Sequence, residues 1–199
     1  SDDEAEEVVE RCVEVGFRHF DTAPHYGLGV AESRLGAGLR RGCAKLTRTR
    51  RAALKILDEE VRVWTKVGRV IKTKDAVAAG DVVETDNLPG SATTIYLDSP
   101  EDAVPVLDYS AAGAAKSYAQ SLDRLGPGVV VAGLRCHDPE SPALEAAALA
   151  GSLPGLAAVR AETGKRPAPP GAETPGAKRR KGENGAAAAP PPPLELSIG

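Results

Sequence analysis

The chain has 199 residues, 42% of them hydrophobic, which suits one ordinary domain core and is too short for two large ones. Its formal net charge of -3 and pI near 5.7 argue against nucleic acid or an anionic membrane as the main partner. Cys12, Cys43 and Cys136 offer neither a C-x-x-C pair nor zinc-type spacing, so reduced thiols in a cytoplasmic setting are expected.

Residues 1–15 read as a helix: Ser1 or Asp2 caps it, acidic residues fill the first turns, and Val8, Val9, Cys12 and Val13 supply an apolar face before Gly16 stops it. Residues 17–21 read as a short strand, and a Pro- and Gly-bearing loop over 22–30 leads to a helix near 31–41. A basic helical stretch, 46–57, follows. Val61, Val63 and Val67 alternate around Arg62, Thr65 and Lys66 as a second strand.

From 67 to 108 there is little sustained period, and Gly80, Asn87, Pro89, Gly90, Pro100 and Pro105 are turn formers, so a long functional or disordered connection is expected. Residues 110–125 return to helix, ended by Gly126-Pro127. Residues 129–136 read as a buried parallel strand, and 142–150 and 153–162 as two short helices. The longest apolar stretch, 128–134, is far below the roughly 20 residues that cross a bilayer, and Ser1-Asp2-Asp3-Glu4 is unlike a signal peptide. No membrane association is expected. Methionine is absent, position 1 included, so a preceding piece is expected to be missing. Beyond Gly164 the composition turns to Pro, Ala, Gly and charge, which reads as a disordered tail over 165–199. Its Lys178-Arg179-Arg180-Lys181 run fits a nuclear-localisation or polyanion-binding segment, or simply solvated charge. Alternating strands and helices imply a parallel sheet, leaving a doubly wound sheet or a (β/α)8 barrel.

The most informative stretch is Phe20-Asp21-Thr22-Ala23-Pro24-His25-Tyr26-Gly27, continuing through Gly29, Glu32 and Leu35-Gly36. With Trp64-Thr65-Lys66-Val67-Gly68, Asp108-Tyr109-Ser110, Ser121-Leu122-Asp123-Arg124-Leu125-Gly126 and Leu134-Arg135-Cys136-His137-Asp138-Pro139, it resembles the aldo-keto reductase family. The long interval from Lys66 to His137 resembles the sugar-dehydrogenase branch, whose members act on fucose, arabinose or galactose. The resemblance spans 5–162 and implies an incomplete (β/α)8 barrel, strands 2–4 with their helices, over 1–164. It implies an NAD- or NADP-dependent oxidoreductase acting on an aldehyde or aldose. Tyr26, Asp21, Lys66 and His137 would be catalytic, Asp21 would also touch the cofactor, and His25, Tyr26 and His137 would meet a small carbonyl or sugar substrate. The alternative is an inactive half-barrel that works by association with another chain, including itself, through open sheet edges.

The residues carry a physical reading of their own. Asp21, Lys66 and His137 each stand at the C-terminal end of an expected strand, where barrel enzymes place their chemistry. A lysine cation favours phenolate, a carboxylate orients the lysine, and a histidine can hydrogen-bond a substrate oxygen. None of these side chains can supply a hydride, so a nicotinamide cofactor is required. Strand spacing predicts the Lys66 amine within roughly 3 to 5 Å of the Asp21 carboxylate and the Tyr26 hydroxyl. Gly27-Leu28-Gly29 lacks the third glycine of a dinucleotide fingerprint and reads as a flexible active-site loop. His25 reads equally as a substrate contact or a solvated loop residue. Lys45, Arg48, Arg50 and Arg51 read as a solvated helix face in preference to a phosphate site.

Overall fold

The computed structural model describes residues 1–85, 88, 98–163 and 195–198. In chain order the elements are α1 (Asp2–Glu14), β1 (His19–Asp21), α2 (Val30–Lys45), α3 (Arg50–Glu59), β2 (Arg62–Val67), β3 (Arg69–Thr73), β4 (Val82–Val83), β5 (Ala103–Leu107), α4 (Ala111–Leu125), β6 (Val131–Cys136), α5 (Pro142–Ala147), α6 (Leu153–Thr163) and β7 (Glu195–Ile198). Local chemistry sets most boundaries. Ser1 and Glu4 form a reciprocal capping box at α1. Thr49, Ser110 and Ser141 cap α3, α4 and α5 through their hydroxyls, and Gly126, at φ 76°, ends α4.

β1, β2, β6 and β7 form one parallel sheet in that order. One face is apolar and covered by helices: Val63, Val67, Leu134 and Cys136 are buried there with Leu39 of α2 and Leu57 of α3. The alternating positions point the other way, so His19, Asp21, Arg62, Trp64, Lys66 and Arg135 share the opposite face, where His19 stacks on Trp64 with ring centroids 5.3 Å apart. Two features lock α2 to α4. Gly36 lets the helices touch, since a Cβ there would stand 2.0 Å from the Leu125 carbonyl oxygen. Beside it Glu32, wholly buried, accepts from the Thr65 hydroxyl at 2.6 Å and from Arg124 Nε at 2.7 Å, which ties both helices to β2.

Several expectations need correction. The stretch 67–108 is not a structureless connection: β3, β5 and β4 form an antiparallel sheet in that order. Pro105, read as a turn former, lies inside β5 opposite Ile71. Its carbonyl accepts from the Glu84 N–H at 3.0 Å, and the outward backbone N–H and carbonyl of Ile71 are taken by the Gln120 side-chain amide at 3.1 and 2.8 Å. Disorder through 199 does not hold for Glu195–Ile198, which pair with β6; residues 164–194, the basic run 178–181 included, lie outside the described residues. The two short helices near 142–162 are one run joined by a π turn, Ala148–Ser152. That run is longer than the 128–134 stretch taken as the most apolar. Pro142–Ala161, with mean hydropathy 1.3, meets the length and composition of a membrane span, and its Ala148, Leu156 and Val159 pack against the core. Val8, expected on the apolar face of α1, is exposed.

Candidate active site

The parallel pairing continues past the strand ends: the Thr22 N–H donates to the Trp64 carbonyl at 2.9 Å and the His137 N–H to the Val67 carbonyl at 2.8 Å. This brings the C-terminal ends of β1, β2 and β6 to one edge, with Asp21, Lys66 and His137 on it. Lys66 Nζ donates to Asp21 Oδ1 at 2.6 Å, to the Thr22 carbonyl at 3.0 Å and to the Tyr26 hydroxyl at 3.1 Å. The expected approach of the lysine to both partners is therefore present, with Asp21 closer than anticipated. Tyr26 is folded back by a tight turn whose Gly27, Leu28 and Gly29 all lie at positive φ (62°, 51° and 99°), and glycine carries two of these three positions without steric cost.

His137 is 3% exposed, and its ring meets that of Tyr26 edge-on, centroids 5.6 Å apart. Burial first, then the positive charge of Arg69 and Lys66, pushes its pKa down to about 3, so the imidazole is neutral near pH 7. Its Nδ1 is buried with no hydrogen-bond partner among the described residues. His25 is buried, which removes the solvated-loop reading. Its ring lies 5.9 Å from that of His137, and its Nε2 is 3.6 Å from Glu84 Oε2. Burial lowers its pKa against the opposing charge of Glu84.

Four further residues shape the cluster. Arg135, opposite Lys66 in the sheet register, donates to Asp21 Oδ2, so the carboxylate is shared by two cations while remaining 47% exposed. Arg69 binds Glu84 in a two-pronged pair at 2.6 and 2.9 Å and donates to the His137 carbonyl at 2.8 Å. The Tyr109 hydroxyl donates to the same carbonyl, and burial pushes its pKa up to about 12, which keeps it a donor. Asp108-Tyr109-Ser110 stood out in the sequence as a motif, Arg69 follows the lysine segment directly, and Arg135 lies inside the histidine segment, though no role was read for it; no pattern pointed to Glu84. Lys45 lies outside the site, paired with Glu10 and Glu14, and Arg48, Arg50 and Arg51 are exposed. A groove of about 500 Å³ between α1, α2 and Asp98-Ser99 shares only Tyr26 with the cluster.

A parallel α/β sheet carries an aspartate, a lysine and a histidine at neighbouring strand ends, with a tyrosine turned back onto the lysine. The chain belongs to the aldo/keto reductase family, whose model matches residues 1–145. It is also similar to a D-threo-aldose 1-dehydrogenase from a Pseudomonas species, 37% identical over 162 residues, a match covering 81% of this chain and 42% of that protein. The chain thus spans about two fifths of the length of that relative.

Proposed function

We propose that this chain carries the proton-transfer half of an oxidoreductase that moves a hydride between NAD or NADP and an aldose or aldehyde. The observation that carries the reading is Lys66 Nζ bound at once to Asp21 Oδ1 at 2.6 Å and Tyr26 OH at 3.1 Å. In the oxidising direction the Tyr26 oxygen takes the proton of the anomeric hydroxyl while the hydrogen on the same carbon leaves with its electron pair, and the aldose becomes a lactone. Lys66 holds the phenolic oxygen by donating to it, and Asp21 holds the ammonium. His137, neutral, directs a ring nitrogen to the substrate oxygen, and His25 lines the same wall.

A bound nicotinamide accepts or supplies the hydride. The residues present fit its reactive end: the half-exposed Asp21 carboxylate forms the rim, beside the open sheet face of Trp64 and Arg135. The four parallel strands fit strands two to five of a (β/α)8 barrel, with Glu195–Ile198 at the fifth position. Titration of the purified chain with NADH and NADPH, followed by assay with aldoses, tests the reading. Saturable binding and turnover that falls about 10²–10⁴-fold in Tyr26→Phe are expected; no saturable binding at millimolar cofactor overturns it.

A second reading, an inactive half that works by pairing with another chain, is favoured by the outer edge of β1, which has β2 as its one partner among the described residues. Sedimentation velocity tests it, and a monomer unchanged by concentration overturns it.

A further inference from the structure

The antiparallel sheet does more than fill the interval between Lys66 and His137. Gly68, at φ 113°, turns the chain out of β2 directly into β3, so Arg69 stands beside the strand ends. Glu84, just past β4, is brought over the same point because its N–H is anchored on Pro105 of the central strand. Arg69 is 4% exposed and its guanidinium has two tasks: one edge grips both oxygens of Glu84, and the remaining nitrogen grips the His137 carbonyl. Glu84 Oε2 then faces His25 Nε2 at 3.6 Å.

We propose that Glu84 is a positioning residue for His25, held by Arg69, so that the hairpin insertion sets the proton and orientation of a second imidazole beside His137 and Tyr26. The proposal rests on the reading of His25 as a substrate-facing group. A carboxylate opposite Nε2 favours the tautomer with its proton on that nitrogen.

The charged and titratable groups facing His25 are Glu84 and Arg69 from the hairpin and His137, Asp138 and Glu140 from the segment after β6. Their signs make the proposal testable. Removing the Glu84 charge lowers the pKa of His25, whereas loosening the hairpin lets water in and raises it towards the free value.

The chain has three histidines, His19, His25 and His137, so long-range imidazole ¹H–¹⁵N spectra of the full chain can follow each one over a pH titration. In Glu84→Gln, His25 is expected to titrate lower, because the opposing carboxylate charge is gone, with a larger Nδ1–H population. Arg69→Gln should move it in the opposite direction, and Glu84→Asp, which keeps the charge, should retain the Nε2–H tautomer. An unchanged or upward shift in Glu84→Gln overturns the proposal, as does loss of that tautomer in Glu84→Asp, which also serves as the test if the glutamine variant does not fold. These readouts need neither cofactor nor turnover, so an inactive chain would refute the proposed function and leave this test intact.

Discussion

Glu32→Leu should be among the most damaging single substitutions in this chain, and the damage should be reversible by two further ones. The Glu32 carboxylate has no exposure and receives the Thr65 hydroxyl at 2.6 Å and the Arg124 guanidinium at 2.7 Å. Removing one partner of a buried ion pair costs about 3–5 kcal/mol because the other charge is left uncompensated. Arg124 keeps 19% side-chain exposure, which places the charge part at the low end. The buried Thr65 hydroxyl, losing its acceptor, adds roughly 1 kcal/mol. A net loss of about 4 kcal/mol is a large part of the 5–15 kcal/mol that holds a typical domain. With an m-value of about 2 kcal/mol/M it moves the urea midpoint by about 2 M.

Trp64, the single tryptophan, adjoins Thr65 in β2 and reports the transition by fluorescence, with far-UV circular dichroism as the global probe. Adding Arg124→Met and Thr65→Val to Glu32→Leu should recover most of the loss, since an apolar replacement of the whole network leaves nothing unpaired. A loss under about 1 kcal/mol in the single variant, or additive losses in the triple variant, would refute the view that charge compensation joins α2, β2 and α4 here.

Acid should destabilise the fold in a defined window. The pKa of His137 is depressed from 6.5 to about 3 on folding, so between those values the unfolded chain binds a proton that the native chain refuses, and stability falls by about 1.4 kcal/mol per pH unit as pH drops. Urea midpoints at pH 7, 6 and 5 should show a shallower slope in His137→Gln, with the remainder from His25, which titrates in the same sense; an equal slope would count against a buried neutral imidazole. Gly68→Ala should cost about 1–3 kcal/mol in thermal or chemical unfolding, because φ 113° is strained for a side chain and the new Cβ would stand 2.6 Å from the Tyr109 ring. Gln120→Leu should cost about 1–2 kcal/mol and speed hydrogen exchange at the Ile71 amide, which loses its acceptor; unchanged exchange would show that the amide is held by something else.

The parallel strands and their helices were legible because each carries a strong local period. Val61, Val63 and Val67 alternate, and capping hydroxyls precede four of the helices. The site was legible for a related reason: its aspartate, lysine and histidine each follow such a strand, and parallel neighbours necessarily gather their carboxyl ends. The antiparallel sheet was hidden because its signals contradict one another. Arg69–Thr73 is too short to show alternation, and Pro105 argues against the strand it occupies. The fold overrides that objection by using the Pro105 carbonyl and by satisfying Ile71 from Gln120, 49 residues further along the chain and so unreadable in any local window. The roles of Glu84 and Arg135 were hidden for the same reason, since their partners Arg69, His25 and Asp21 are set by tertiary placement. Glu195–Ile198 was hidden by the composition before it, which contains no alternation leading into a strand.

The face of the parallel sheet that bears His19, Arg62, Trp64, Lys66 and Arg135 has a practical consequence for protein engineering. The interior of a (β/α)8 barrel is usually built from layers of branched aliphatic side chains, a surface that would be adhesive if bared. On this face the side chains are charged or aromatic with a polar atom, and Lys66 and Arg135 share the Asp21 carboxylate. Water can wet such a face at little cost. A separately produced polypeptide carrying further strands would therefore meet a hydrogen-bonding template whose register is dictated by ion pairs and strand edges.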